Sequence, residues 1–179
     1  MKKKVYLVFS QTNTILSKII KFITKNEYSH VSISFDKECK TMYSFGRKYD
    51  INPFYGIFKI ENISKGLFKK SNAKIAIYEL EVKEKVYENI KTNIKKIEQE
   101  NEGYNILGLL LAIFGFRIKR KKYYCSEFVY QVLSDNNVNL IKKTNKCIRP
   151  IYIYDNISDL KLIYSGRVNN YISKKENVY

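Results

Sequence analysis

The sequence predicts one α+β domain, in which a mostly antiparallel sheet is covered by helices. Two patterns support this fold class. Segments that alternate like β-strands concentrate in the first half of the chain, and segments with helical spacing dominate the second half. The length of 179 residues and the hydrophobic content of 45% suit one core, and seven glycines and two prolines leave little room for a linker. A single domain over residues 1–179 is therefore expected.

The first quarter of the chain is predicted to form three strands and one helix. Residues 3–9 (KKVYLVF) are apolar enough for a buried strand, and residues 14–26 (TILSKIIKFITKN) carry apolar side chains at helical spacing. Residues 30–35 (HVSISF) and 40–45 (KTMYSF) alternate like strands, and the DKEC between them indicates a hairpin turn. The second and third strands are therefore expected to pair antiparallel.

The middle of the chain is predicted to form a loop, a strand and a helix. Residues 46–56 (GRKYDINPFYG) have the composition of a loop, and residues 73–82 (AKIAIYELEV) alternate like a strand. Residues 83–101 place one valine and three isoleucines on one helical face and lysines and glutamates on the other. This pattern indicates an exposed amphipathic helix that packs on the sheet.

Two further helices and an extended tail are predicted after residue 103. Residues 104–114 (YNILGLLLAIF) are nearly all apolar and favour a buried helix, and residues 125–136 (CSEFVYQVLSDN) favour another. In the tail, residues 148–155 (IRPIYIYD) and 160–166 (LKLIYSG) are expected to be short strands or extended segments.

The net charge of +16 raises the possibility of an anionic partner. Short basic clusters occur at residues 2–4, 69–70 and 117–122, but none is interleaved with aromatic residues as in a nucleic-acid motif. Lys, Asn, Ile, Tyr and Phe are all abundant, and AT-rich codons encode all five. The pattern argues against nucleic acid as the main partner and leaves a peripheral contact with an anionic membrane surface open.

A reducing, cytoplasmic location is expected from the cysteines and the apolar segments. The chain has three cysteines and no CxxC pair, so a disulfide framework is not indicated. The N-terminal apolar run of five residues is too short for a signal-peptide core. The apolar stretch at residues 106–116 is shorter than the about 20 residues that a transmembrane helix needs.

His30 is the only histidine in the chain. If residues 30–35 form a strand, Val31 and Ile33 face one side while His30, Ser32 and Ser34 face the other. The imidazole then lies among small hydroxyls, where another group has room to approach. A solvent-facing histidine on a half-exposed strand is the alternative.

Cys125 lies where a loop turns into the helix predicted at residues 125–136. Free amides and the helix dipole at that end stabilise a thiolate, which is the nucleophilic form of cysteine. The alternative is a packing residue on the apolar face of the helix. Cys39, in the hairpin turn, and Cys147, in a polar part of the tail, fit a nucleophile less well. Cys125 and His30 together are the two groups that a thiol–imidazole nucleophile requires.

The sequence around these two residues resembles a known family. YSHVSISFD is followed, 95 residues after its histidine (125 − 30), by YYCSEFVYQVL, and this order is similar to the circularly permuted papain-like group of the NlpC superfamily, the YiiX type. FSQTNTILSKII, MYSFGR and YNILGLL also match. The resemblance covers roughly residues 5–135, and residues 137–179 would be a C-terminal extension of the same domain.

The resemblance implies a permuted papain-like fold with the nucleophile at a helix N-terminus. Cys125 would be the nucleophile, and its amide a donor to the oxyanion. His30 would be the base. A third polar residue, on the strand after the histidine strand, would orient the imidazole. Spacing puts Ser44 at or next to this position, with Tyr43 beside it, whereas the acidic residues at 36 and 38 lie at the hairpin end.

The expected function is a cysteine-dependent acyl-transfer hydrolase that acts on an amide, ester or thioester through a thioacyl-enzyme. A peptide, a cell-wall fragment or a lipid acyl group would be the substrate, and no metal or organic cofactor is implied. One alternative is a basic module that binds nucleic acid or an anionic membrane surface and has an inert cysteine. Another is a metal site formed by His30 and the cysteines, although no ligand pair has the close spacing typical of zinc sites.

Overall fold

A computed structural model describes residues 1–12, 14, 17–18, 21–22, 26–47, 55–100, 104–105, 125–141 and 148–176. This part of the chain contains a seven-stranded sheet and five helices, so the α+β class is confirmed. The strand order is β6-β4-β3-β2-β1-β5-β7, and every neighbouring pair is antiparallel. The strands are β1 (Lys2–Gln11), β2 (His30–Ser34), β3 (Met42–Arg47), β4 (Tyr55–Glu61), β5 (Lys74–Lys83), β6 (Tyr104–Asn105) and β7 (Lys161–Arg167). The helices are α1 (Gly66–Lys70), α2 (Glu84–Glu100), α3 (Cys125–Ser134), α4 (Pro150–Tyr154) and α5 (Val168–Glu176).

Strand β1 lies inside the sheet, between β2 and β5, and is buried on both faces. Leu7 and Phe9 point to the face covered by α2 and α3, while Tyr6 and Val8 point to the face covered by α5. This double burial explains why the first strand is a continuous apolar run instead of a strict alternation. The larger of the two cores lies under α2 and α3, and it contains the aromatic pair Phe45 and Phe128 at 5.5 Å between ring centroids.

Most of the predicted elements are confirmed where the structure describes them. The strands predicted at 3–9, 30–35, 40–45 and 73–82 are present as β1, β2, β3 and β5, and the helices at 83–101 and 125–136 are α2 and α3. The strand predicted at 160–166 is β7. In the helix predicted at 14–26, residues 17–18 and 21–22 are helical. The apolar residues of its predicted core-facing stripe, at 15, 16, 19, 20 and 23, lie outside the described residues.

Three predictions were wrong in part. Residues 150–154 form helix α4 instead of an extended segment, because Pro150 occupies the first turn, where its missing N–H costs nothing. The loop predicted at 46–56 is shorter, since Gly46 belongs to β3 and Tyr55 opens β4. Tyr104 and Asn105 form β6 instead of starting a helix, and residues 106–124 lie outside the described part of the chain. Strand β4 and helices α1 and α5 were not predicted.

A divergence between β2 and β3 positions the functional residues. The two strands pair only at Ile33 with Tyr43 and at Ser34 with Met42, whereas β1 pairs with β2 back to His30. The first residues of β2 therefore lie outside the β2–β3 ladder, and helix α3 packs against both strands at this point. Among the described residues, no helix has the length and apolar character needed to cross a bilayer.

Candidate active site

A buried cluster of polar side chains lies across strands β2, β3 and β4. One carboxylate oxygen of Glu61, at the end of β4, accepts hydrogen bonds from Ser44 on β3 at 2.8 Å and from Ser32 on β2 at 2.9 Å. The same oxygen lies 3.0 Å from His30 Nε2. Ser32 also lies 3.3 Å from that ring nitrogen. The carboxylate is thus held against the imidazole by donors from two strands.

Cys125 contacts the other side of this cluster. The charge of His30 and hydrogen bonding with His30 and with the backbone N–H groups of Val31 and Ser126 lower the pKa of its thiol. The Val31 N–H is available because β2 and β3 have diverged at this point. Since Nε2 of His30 is engaged by Glu61, Nδ1 is the ring nitrogen left for the thiol. The imidazole therefore bridges a thiol and a carboxylate.

The charges of Glu61 and His30 stabilise each other. Burial alone would raise the pKa of Glu61, but the charge of His30 and the hydrogen bonds from His30, Ser44 and Ser32 lower it to about 2. Burial alone would lower the pKa of His30, but the charges of Glu61 and Cys125 and the hydrogen bonds to both raise it to about 10. At neutral pH the ring is therefore an imidazolium and the carboxyl a carboxylate.

The positive charge of the same imidazolium also lowers the pKa of the Cys125 thiol. Burial alone would raise the pKa of Cys125, but the charge of His30, its hydrogen bond, and the amides of Val31 and Ser126 lower it below the ordinary value. The helix start adds a partial positive charge at the same position. These contributions favour a thiolate–imidazolium ion pair, which is the reactive state of a cysteine nucleophile.

The structure brings two of the three predicted site residues into direct contact and places the third one step further away. His30 and Cys125 lie close enough for the charge of each to shift the pKa of the other. Ser44 donates to Glu61, so the group at the far side of the ring is a carboxylate from β4 instead of the serine from β3. Tyr43 lies on the opposite face, in the core under α2 and α3, and Asp36 accepts hydrogen bonds from backbone amides of the hairpin.

The sequence contains a strand pattern that could have identified Glu61 as a candidate site residue. Residues 57–61 (IFKIE) alternate, with Phe58 and Ile60 on one side and Lys59 and Glu61 on the other, which is the pattern of a half-buried strand. A carboxylate at the end of such a strand is a candidate partner for an imidazole. Its register against β3, which pairs Met42 with Glu61, is decided by tertiary structure.

The exposure of the site residues argues against the alternatives that the sequence left open. His30 is 20% exposed and has polar partners on both sides, so it is not a solvent-facing residue of a half-exposed strand. Cys125 is partly exposed, whereas Cys39 is fully buried in the core on the α5 face. Cys147 lies outside the described residues. Cys125 is thus the reachable thiol of the two described.

Comparison with known proteins identifies a similar fold. No family model matches the sequence, and no curated protein matches it significantly. The metalloprotein yiiX from Escherichia coli O157:H7, a DUF1105 protein, superposes with a TM-score of 0.58 over 91% of this chain and 97% of its own, at 13% sequence identity. The chain has a yiiX-like fold. At this identity the similarity establishes the α+β, papain-like architecture and no more than that.

The metalloprotein description of yiiX raises the question whether these residues fit a metal ion. Within the described part of the chain, no group of three or more His, Cys, Asp or Glu side chains is arranged to hold one. His30 uses one ring nitrogen for Glu61 and the other side of the ring for Cys125. A metal needs several ligand atoms around one point, and these described residues form no such group. The three side chains therefore do not fit a metal site.

Replacing Ser44 with Ala tests the carboxylate cluster through stability. The lowered pKa of Glu61 stabilises the fold fully above the ordinary glutamate pKa of 4.5, and this contribution is lost as the pH falls toward about 2. Removal of a donor to the charged form raises that pKa. We expect the free energy of unfolding to fall by about 2 kcal/mol at neutral pH and by clearly less near pH 2, measured by urea unfolding.

Ser126→Ala is the matched control for this measurement. Ser126 is also buried, but its hydroxyl donates to the backbone carbonyl of Ile148 at 2.7 Å, which does not titrate. Its loss of stability should be the same at both pH values. An equal pH dependence for the two variants would contradict the assignment of Ser44 to the charged carboxylate.

Proposed function

We propose that the chain is a cysteine-dependent acyl-transfer enzyme of the permuted papain-like type, with Cys125, His30 and Glu61 as its catalytic triad. The observation that carries this proposal is the contact of 3.0 Å between His30 Nε2 and the Glu61 carboxylate, at a position where the charge of His30 lowers the pKa of the Cys125 thiol. A nucleophile, a base and a group that orients the base are thereby in contact in one cleft. The order of the motifs along the sequence supports the same family.

Acylation follows from this arrangement. The Cys125 thiolate attacks the carbonyl carbon of an amide, ester or thioester, and the carbonyl oxygen gains the negative charge. The backbone N–H of Cys125, at the helix start, donates to that oxyanion. His30 then gives its proton to the leaving amine, alcohol or thiol as the tetrahedral intermediate collapses to a thioacyl-enzyme. Glu61 keeps the ring oriented and stabilises its positive charge.

Deacylation reverses the proton flow. Neutral His30 takes a proton from a water molecule, or from an acceptor amine or alcohol, as that group attacks the thioester carbon. The sulfur leaves as a thiolate, and the imidazolium is restored beside it. Peptides, cell-wall amides and lipid acyl groups all contain a suitable carbonyl, so they remain the proposed substrate classes. No step of this proposed reaction uses a metal or an organic cofactor.

The pH dependence of the reaction tests the triad. The active ion pair requires the pH to lie above the pKa of Cys125 and below that of His30, which is about 10. We expect kcat/KM on an activated ester to show a broad plateau through neutral pH. In Glu61→Gln the pKa of His30 falls, because the carboxylate that raised it is gone, and the alkaline limb should move to lower pH. An alkaline limb that does not move would count against Glu61.

A second candidate function is binding to an anionic membrane surface, and one described feature favours it. Phe22 is 85% exposed, and the neighbouring Lys18 and Lys21 are also exposed. The N-terminal lysines, in contrast, are partly neutralised by ion pairs, which are Lys2 with Glu81, Lys3 with Glu84 and Lys4 with Glu79. Sedimentation with vesicles of phosphatidylglycerol, compared with phosphatidylcholine, tests this candidate, and Phe22→Ser should weaken the binding.

A further inference from the structure

The segment before helix α4 is attached to the start of the nucleophile helix. The hydroxyl of Ser126, the residue after Cys125, donates to the backbone carbonyl of Ile148 at 2.7 Å. Both residues are buried, with exposures of 2% and 5%. Arg149 is the next residue along the chain and is only partly buried. Its backbone is thereby held beside the first turn of α3.

The other end of α4 packs near the base. Tyr154 contacts Phe9 at 5.3 Å and Tyr28 at 5.1 Å between ring centroids. Tyr28 lies two residues before His30, and Phe9 pairs with the residue after His30 in the sheet. The two ends of α4 therefore contact segments that neighbour Cys125 and His30 along the chain. Arg149, at its start, directly follows the residue that is bonded to the first turn of α3.

Tyr152 holds the guanidinium of Arg149 in place, and within the described ranges no carboxylate neutralises its charge. It donates a hydrogen bond to the hydroxyl of Tyr152 and stacks on that ring at 4.7 Å from the centroid. Over the described ranges of the chain, no carboxylate forms an ion pair with it. A tyrosine hydroxyl occupies one donor and adds no charge. Most of the five N–H donors of the guanidinium remain available for a ligand.

Arginine is rare among the basic residues of this chain. The chain uses five arginines and 28 lysines, which together make the 33 basic residues. A planar guanidinium that is fixed by stacking can bind a carboxylate or a phosphate through two parallel hydrogen bonds, which an ammonium group cannot do. Arg149 is stacked, has no ion-pair partner within the described residues, and follows the segment bonded to the nucleophile helix, so it is suited to recognising an anionic substrate group.

We propose that Arg149 determines substrate specificity by binding an anionic group, a carboxylate or a phosphate, close to the acyl bond that Cys125 attacks. This inference rests on the proposed function, since it assigns the substrate class of the same site. Tyr152 acts as a positioning residue that keeps the guanidinium fixed. The substrate is then an anionic acyl compound instead of a neutral lipid ester or an uncharged peptide segment.

Alkylation of Cys125 by a matched pair of reagents tests this inference without a known substrate. Iodoacetate carries a carboxylate and iodoacetamide is its neutral counterpart, so the ratio of their rates at Cys125 reports a cation at the site. We expect Arg149→Gln to lower that ratio by about tenfold, which corresponds to about 1.4 kcal/mol. Arg149→Lys should lower it less, because the charge remains and the planar fork is lost.

Arg167→Gln provides the control, because Arg167 lies on β7 and donates to the backbone carbonyl of Asn72. It should leave the ratio unchanged. An unchanged ratio in Arg149→Gln, with the variant shown to be folded by circular dichroism, would overturn the inference.

Failure of the proposed function is a separate result, in which His30→Ala does not slow alkylation of Cys125 by iodoacetamide. Protection of Cys125 by acetate or by inorganic phosphate then identifies which anionic group is preferred.

Discussion

Replacing Cys125 with Ala is expected to abolish acyl transfer, lowering kcat/KM on p-nitrophenyl acetate by at least about 10⁴-fold. The reason is that the sulfur forms the covalent intermediate, and alanine leaves the reaction without a nucleophile. Stopped-flow kinetics should show a burst of p-nitrophenol in the wild type and none in the variant. Intact-mass spectrometry should detect one acetyl group on the wild-type chain during that burst.

Glu127→Gln is the matched control for this loss. Glu127 lies in the same first turn of α3, where its charge interacts favourably with the helix dipole. Its replacement should change the rate only a few-fold, because this carboxylate is not part of the triad. A Cys125→Ala variant that still shows the burst would remove the basis for the enzyme and favour a binding protein with an inert cysteine.

Replacing His30 with Ala is expected to slow alkylation of Cys125 by iodoacetamide at pH 6 by at least roughly tenfold. An ordinary thiol with a pKa of about 8.5 is only roughly 0.3% thiolate at that pH. The His30 charge is the main contribution that lowers the pKa of Cys125, so the variant should approach this ordinary behaviour. Mass spectrometry of labelled peptides over a pH series gives the apparent pKa directly.

Part of the lowering of the Cys125 pKa should remain in His30→Ala. The helix start and the amides of Val31 and Ser126 still favour the thiolate after the imidazole is removed. Cys39 serves as an internal reference in the same sample, because it is fully buried and should label slowly in both proteins. Equal labelling of Cys39 and Cys125, with no change in His30→Ala, would mean that Cys125 is an ordinary thiol.

The periodicity of the sequence was enough to predict most of the elements. The period-two pattern of residues 30–35 and 73–82 and the helical spacing of residues 83–101 agree with β2, β5 and α2. Such patterns are reliable because burying one face of an element restricts which side chains can occupy it. Helix α4 was predicted as extended because its apolar run is short, and a short apolar run does not distinguish a strand from a helix.

The sequence by itself also determined the nucleophile and base candidates. His30 is the only histidine, and Cys125 is the cysteine at a helix start, so the choice among residues was small. His30 opens a strand pattern and Cys125 opens a helix pattern, and each pattern limits the direction in which the side chain can point. The proximity of the two side chains depended on how α3 packs against β2, which local spacing does not encode.

Only the tertiary structure decided the remaining parts of the site. Glu61 reaches His30 because β4 pairs with β3 in the register that sets Glu61 opposite Met42, and a shift by one residue would turn its side chain to the other face. The backbone before Arg149 lies beside the first turn of α3 because the buried hydroxyl of Ser126 holds the carbonyl of Ile148. The physical reason is that register and packing between distant segments depend on the whole core, whereas the identity of each strand and helix depends on its own pattern of burial.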